Sequence, residues 1–157
     1  MHATDLSGPM PGLPDPDRDA QFYEGVPLRR FAAWLVDLAI VLIAGVPLAL
    51  LFGLLTLGFG FALFPVIVGA TAFLYRVLTL AGDSATWGMR FTGLEFRRHD
   101  GTRFDLPFAL LHTAITAVCF GAFVLQLVSC GTILWTRYRQ SIADIILGTT
   151  AINRPAE

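Results

Sequence analysis

Residues 38–75 form an unbroken run of 38 residues without a formal charge. At 1.5 Å per residue, one helix of that length would be about 57 Å long, whereas the hydrocarbon core of a bilayer is about 30 Å thick. The run must therefore fold back on itself. Gly53, Gly58 and Gly60 supply the break, because clustered glycines interrupt a helical pattern. They leave a first span near residues 32–52 and a second near residues 60–80, a transmembrane helical hairpin. Composition agrees, since 55% of the 157 residues are hydrophobic and only 15% are charged, against about 25% charged in an ordinary soluble domain.

Arginine placement orients the hairpin. Arg18, Arg29 and Arg30 precede the first span, Arg76 ends the second, and Arg90, Arg97, Arg98 and Arg103 follow it, while the turn between the spans has none. The positive-inside rule then places the N-terminus and residues 81–105 in the cytoplasm, as expected of a multi-pass protein of the cell membrane. Tyr75 and Trp87 suit the cytoplasmic interface. Residues 1–25 carry Pro9, Pro11, Pro14 and Pro16 with several acids and no apolar stretch ahead of a cleavage site. They are expected to be a disordered tail rather than a signal peptide, leaving the first span as an uncleaved anchor.

A third apolar run, residues 106–136, has 31 residues and would make a helix of about 46 Å. That is too long for one straight crossing and too short for two. It is either one tilted helix with an interfacial extension or two short helices breaking near Gly121; the basic Arg137-Tyr138-Arg139 that follows favours the broken pair, which returns to the cytoplasm. Between the second and third runs, residues 89–98 alternate in part and Asp100-Gly101 is a turn signal, so residues 89–104 read as a small cytoplasmic β-hairpin. The β-branched residues 148–153 offer it a third strand. The expected fold class is an all-α membrane protein with a helical hairpin, a third long or broken apolar helix, and a small cytoplasmic β-hairpin.

Several chemistries fall away on residue type. All eleven basic residues are Arg and the net charge is −1, so there is no bulk attraction to nucleic acid and no lysine for a phosphate loop, Schiff base or general base. There is no HExxH, no GxSxG and no phosphate-binding glycine loop, and no enzyme activity, cofactor or metal is expected. Cys119 and Cys130 lack a CxxC spacing or a nearby histidine pair and read as small core residues.

The charges that remain in apolar context are the candidate site. Asp37 lies seven residues after Arg30, which puts both on one helix face but about 10.5 Å apart along the axis. An ionised Asp near the centre of a membrane helix costs about 2.5–3.5 kcal/mol on insertion scales, so it should face protein or water and have a partner. Asp37 is either an ion or proton site or a polar clasp between helices, with a hydroxyl such as Thr71 or with Arg30 as partner; Ala33 and Ala44 would allow another helix close to that face. Arg30 alone reads as a topology signal snorkelling to the headgroups. Asp144 lies in a short amphipathic stretch where an acid can simply face water, and His112 reads as a neutral histidine bonded to a neighbouring helix. Gln126, Ser129 and Thr132 can bond across helices.

Taken together, RFAAWLVD over residues 30–37, GMRFTGLE over 88–95, Asp100-Gly101, and QSIADIILGT over 140–149 resemble the RDD family of small integral membrane proteins, named for one arginine and two aspartates. The matching positions are Arg30, Asp37 and Asp144, and the resemblance spans roughly residues 25–153. The last element departs from the family's pattern, with Ala143 where a histidine is frequent and Ile145 where a basic residue is frequent. The resemblance implies an RDD-like membrane domain over residues 26–153, a four-residue tail at 154–157, no cofactor and no enzyme chemistry. It also implies that Asp144 is coupled to Arg30. Ion or proton exchange is suggested for some members, but no shared activity defines the family.

Two functions follow as expectations. One is a membrane scaffold or assembly factor whose polar residues hold its own fold or a partner's helix, with the cytoplasmic hairpin as docking surface. The other is a transport component exchanging a proton or small cation through Asp37, which would require oligomers because so few spans cannot enclose a pathway. The expected partners are the lipid bilayer and a second copy of the chain or another membrane protein.

Overall fold

The computed structural model describes residues 10–154. Helix α1 (Val26–Leu55) begins after Gly25 with Pro27 in its first turn, where a missing N–H is harmless. The chain reverses at Gly58, whose φ of 98° suits a residue without Cβ. A short 3-10 turn (Phe59–Leu63) then leads into α2 (Phe64–Asp83). After α3 (Trp87–Phe91) and strand β1 (Leu94–Arg98) come α4 (Leu106–Gly121), α5 (Phe123–Trp135), α6 (Ile142–Leu147) and strand β2 (Thr149–Asn153).

Two segments, Ala20–Leu55 and Phe59–Asp83, are long and apolar enough to cross a membrane. Only 22% and 6% of their most apolar windows are buried inside the protein, so their side chains need lipid around them. The third apolar run is broken, with α4 and α5 bent by 117° at Ala122. Asp105 starts α4 by accepting a hydrogen bond from the Phe108 N–H at 2.9 Å.

The packed core lies at one end of the helices. Val26, Ala33, Leu80, Ala85, Met89, Leu94, Phe96, Phe104, Ala109 and Ala151 form one buried cluster there. Its floor is a two-stranded antiparallel sheet pairing Leu94 with Asn153, Phe96 with Ala151 and Arg98 with Thr149.

This sheet differs from the expected hairpin in its second strand. The turn at Asp100-Gly101 forms, with the Gly101 N–H bonded to the Arg98 carbonyl at 2.8 Å. Yet residues 102–104 do not continue as a strand, because Asp105 at once caps α4 and leaves too short a segment. The partner comes instead from β2, the segment expected as a third strand. Residues 89–91 are helical, since Thr86 caps α3 by accepting from the Met89 N–H at 3.2 Å.

The tail expected over residues 1–25 is folded from residue 10 onward, residues 1–9 lying outside the described residues. Met10 and Tyr23 are buried against Tyr138 and Ile152, the Gly12 N–H donates to the His99 carbonyl at 3.0 Å, and Arg137 pairs with Asp15 at 2.9 Å and Asp17 at 2.6 Å. Proline and acid content indicated chain without a core of its own; the core here is borrowed from the sheet end. Of the short tail at 154–157, Arg154 donates its N–H to the Gly93 carbonyl at 2.8 Å.

Candidate functional site

Asp37 sits one turn beyond Ala33 on α1, facing α2 and α3. Tyr75 Oη donates to Asp37 Oδ1 at 2.6 Å, Thr86 Oγ1 to Oδ2 at 2.6 Å, and the Gly88 N–H to Oδ1 at 2.8 Å. Both oxygens are occupied by donors from α2, from the cap of α3 and from α3 itself. Gly88 is required for this approach, because a Cβ there would lie 2.2 Å from the Ala33 carbonyl oxygen and 2.7 Å from Asp37 Oδ1. The neighbour admitted by Ala33 is thus α3 rather than a membrane-spanning helix. Thr71 turns back to the Ile67 carbonyl at 2.8 Å and takes no part.

Asp144 is fully buried in the first turn of α6. Its Oδ2 accepts from Arg30 Nη2 at 2.6 Å, from the Ser141 N–H at 2.9 Å and from Ser141 Oγ at 2.8 Å. Its Oδ1 accepts from Thr149 Oγ1 at 3.0 Å and faces His112 Nε2 at 2.9 Å. An ionised carboxylate only accepts, so His112 carries a proton on Nε2. One side chain thereby ties together α1, α4, α6 and β2. Arg30 completes its own fork by donating Nη1 to the Arg139 carbonyl at 2.8 Å.

The surroundings strengthen this pair. Arg30 lies over the Phe96 ring at 5.2 Å, and Phe96 and Phe104 flank His112 at 4.8 and 5.4 Å, which keeps water away and lowers the local dielectric. Burial alone opposes a charge on Asp144. Arg30 and the His112 hydrogen bond outweigh it, and hold the carboxyl well below the usual carboxylate range.

A fourth charge, Arg76 on α2, lies in the electrostatic field of Asp37, Arg30 and Asp144. Among the described residues its buried Nε has no hydrogen-bond partner, and neither has His112 Nδ1. Two guanidiniums and two carboxylates thus share the sheet end of the helices, and of these Arg30 and Asp144 form the ion pair seen among the described residues.

Of the residues singled out by sequence, Arg30 and Asp144 are brought together, whereas Asp37 forms a separate clasp with other partners. Tyr75, Thr86 and Gly88 were not legible as its partners, because they lie 38, 49 and 51 residues away in the chain and helical periodicity gives a face, not a contact. Asp144 did carry a missed signal. Ser141 and Asp144 have the spacing of a capping box, which is formed here and fixes the carboxylate at the start of α6. Ser129 bonds across helices, its Oγ accepting from the Ile142 N–H at 3.2 Å, while Gln126 donates to Cys130 on its own helix at 3.7 Å.

No curated protein and no solved structure matches the chain. The family model described as "RDD family" matches residues 25–148, a stretch that contains Arg30, Asp37 and Asp144 and nearly all of the helices that surround them. This apolar, helical membrane protein, with its arginine and two aspartates gathered at one end, belongs to the RDD family.

Proposed function

We propose that the protein is a non-enzymatic, multi-pass scaffold or assembly module of the cell membrane, with its N-terminus and its sheet on the cytoplasmic side. The charges gathered at the sheet end hold its own fold, and the outer surface of that end is offered to a second copy or to another membrane protein. The observation that carries this reading is the occupancy of both acids. Asp37 accepts three hydrogen bonds from its own chain, and Asp144 is bonded to Arg30, His112, Ser141 and Thr149. Every carboxylate oxygen of the two acids already accepts from the protein itself, and exchange at either acid would break contacts between elements. The Arg distribution supports the orientation.

One observation favours the second reading, a transport component exchanging a proton or small cation. Arg76 and His112 each present a buried nitrogen without a partner beside the acids, a pattern that functional intramembrane charges share. Flux decides between them. In proteoliposomes carrying a pH gradient with sodium or potassium, the scaffold reading expects no flux above protein-free vesicles. Flux that disappears in an Asp37→Asn variant of normal abundance would overturn it.

A further inference from the structure

The outer face of α3, turned away from the Asp37 clasp, carries a group of exposed side chains. Trp87, Arg90 and Phe91 occupy positions i, i+3 and i+4 of that short helix and share one face. Trp87 is 52% exposed and Phe91 79% exposed, while Gly88 and Met89 on the opposite face are buried. The buried face is fixed against α1 at Ala33 and Asp37, so α3 lies at the depth where the apolar run begins. The first turns of α1 extend the same belt, with exposed Phe31 and Trp34 stacked at 6.0 Å and Arg29 reaching the Thr92 carbonyl at 3.3 Å. Aromatic rings mixed with arginine are what the headgroup level of a bilayer selects.

An unbalanced charge cluster adjoins this belt. Asp83, at the end of α2, pairs with Arg154 at 2.6 Å, Arg90 at 3.1 Å and Arg103 at 3.6 Å. Buried Glu95 pairs with Arg97 at 2.5 Å, Arg154 at 3.4 Å and Arg103 at 4.0 Å. Four guanidiniums therefore share two carboxylates. Arg103 is the least committed of them, half exposed and held only at the two long distances.

We propose that Arg90, Arg103 and Arg154, with Trp87 and Phe91 beside them, bind the phosphate headgroup of an anionic phospholipid. The surplus positive charge supplies the attraction, and guanidiniums match phosphate oxygens in geometry. The exposed rings hold the acyl side of the same molecule, which a free phosphate ion lacks. This site does not rest on the scaffold reading: Asp37 seats α3, but neither Asp37 nor Asp144 is among the residues that would meet the lipid.

The test is native mass spectrometry of the full chain released from nanodiscs containing equal phosphatidylglycerol and phosphatidylcholine. The expected result is several-fold preferential retention of phosphatidylglycerol, falling toward parity in Arg90→Gln/Arg103→Gln and partly reduced in Arg103→Gln alone. The single variant keeps the test decisive if the double variant does not fold, because Arg103 is barely held by the fold. A parent without preference would overturn the proposal, and so would a preference untouched by Arg103→Gln. Displacement of the lipid by millimolar inorganic phosphate would overturn it too, by showing that the rings contribute nothing.

Discussion

Asp37 and Asp144 are one residue type under two different constraints. At Asp37 the partners are hydroxyls and a backbone N–H, all neutral donors. Asp37→Asn keeps one acceptor oxygen for Tyr75 and Gly88, and Thr86 can turn its hydroxyl to accept, so a loss of no more than about 1 kcal/mol is expected. Asp37→Leu strands all three donors and is expected to cost about 3 kcal/mol or more. Unfolding titrations of the two variants in lipid bicelles check this; equal losses would contradict it. At Asp144 the depressed pKa has a definite sign. The folded state binds the proton less tightly than the unfolded chain, so the stabilisation is complete above the unfolded carboxylate value of about 3.9 and is lost as pH falls through the range below it. Asp144→Asn is expected to be less stable at neutral pH and to have a flatter stability profile at acid pH than the parent. An unchanged acid slope would show that Asp144 does not contribute to it.

At the level of elements, α3 is the piece most dependent on a single small residue. Gly88→Ala places a methyl group against the Ala33 carbonyl and Asp37 Oδ1, and the Ala33 backbone on one side, with the hydrogen-bonded carboxylate on the other, leaves little room to yield. A destabilisation of about 1–3 kcal/mol is expected, overpacking being the cause, together with faster amide exchange at residues 86–92; exchange as slow as in the parent would mean that α3 is not seated on α1. The hairpin and the broken third run were legible beforehand because length in apolar residues can be compared directly with bilayer thickness. Strand pairing was not. The Asp100-Gly101 turn is formed, but a local turn signal does not reveal that Asp105 ends the following segment, nor that Gly148, at a φ of 62°, stops α6 in time for residues 149–153 to reach β1. Amides of Leu94–Arg98 and Thr149–Asn153 are expected to exchange together, whereas protection of β1 alone would contradict the pairing.

Over the whole molecule, the apolar hairpin leaves its surface to lipid while the folded core gathers at one end around the sheet. Reporter fusions after Gly60, after Arg98 and at the C-terminus are expected to read outside, inside, inside, and an outside signal at the C-terminus would separate β2 from β1 across the membrane. The candidate site was legible in part. The spacing of Arg30 and Asp37 gave one face, and the resemblance gave the coupling of Arg30 to Asp144. The Phe96 and Phe104 rings around His112, the four elements meeting at Asp144 and the place of Arg76 depend on contacts between distant segments, which no local pattern encodes. The central claim is that the family's charged residues bind the protein to itself, and Arg30 with Asp144 is its strongest case. A double-mutant cycle on Arg30→Gln and Asp144→Asn, read as unfolding free energy in bicelles, tests it most directly. A coupling energy of about 2 kcal/mol or more is expected for this buried pair, and a coupling indistinguishable from zero would contradict the account.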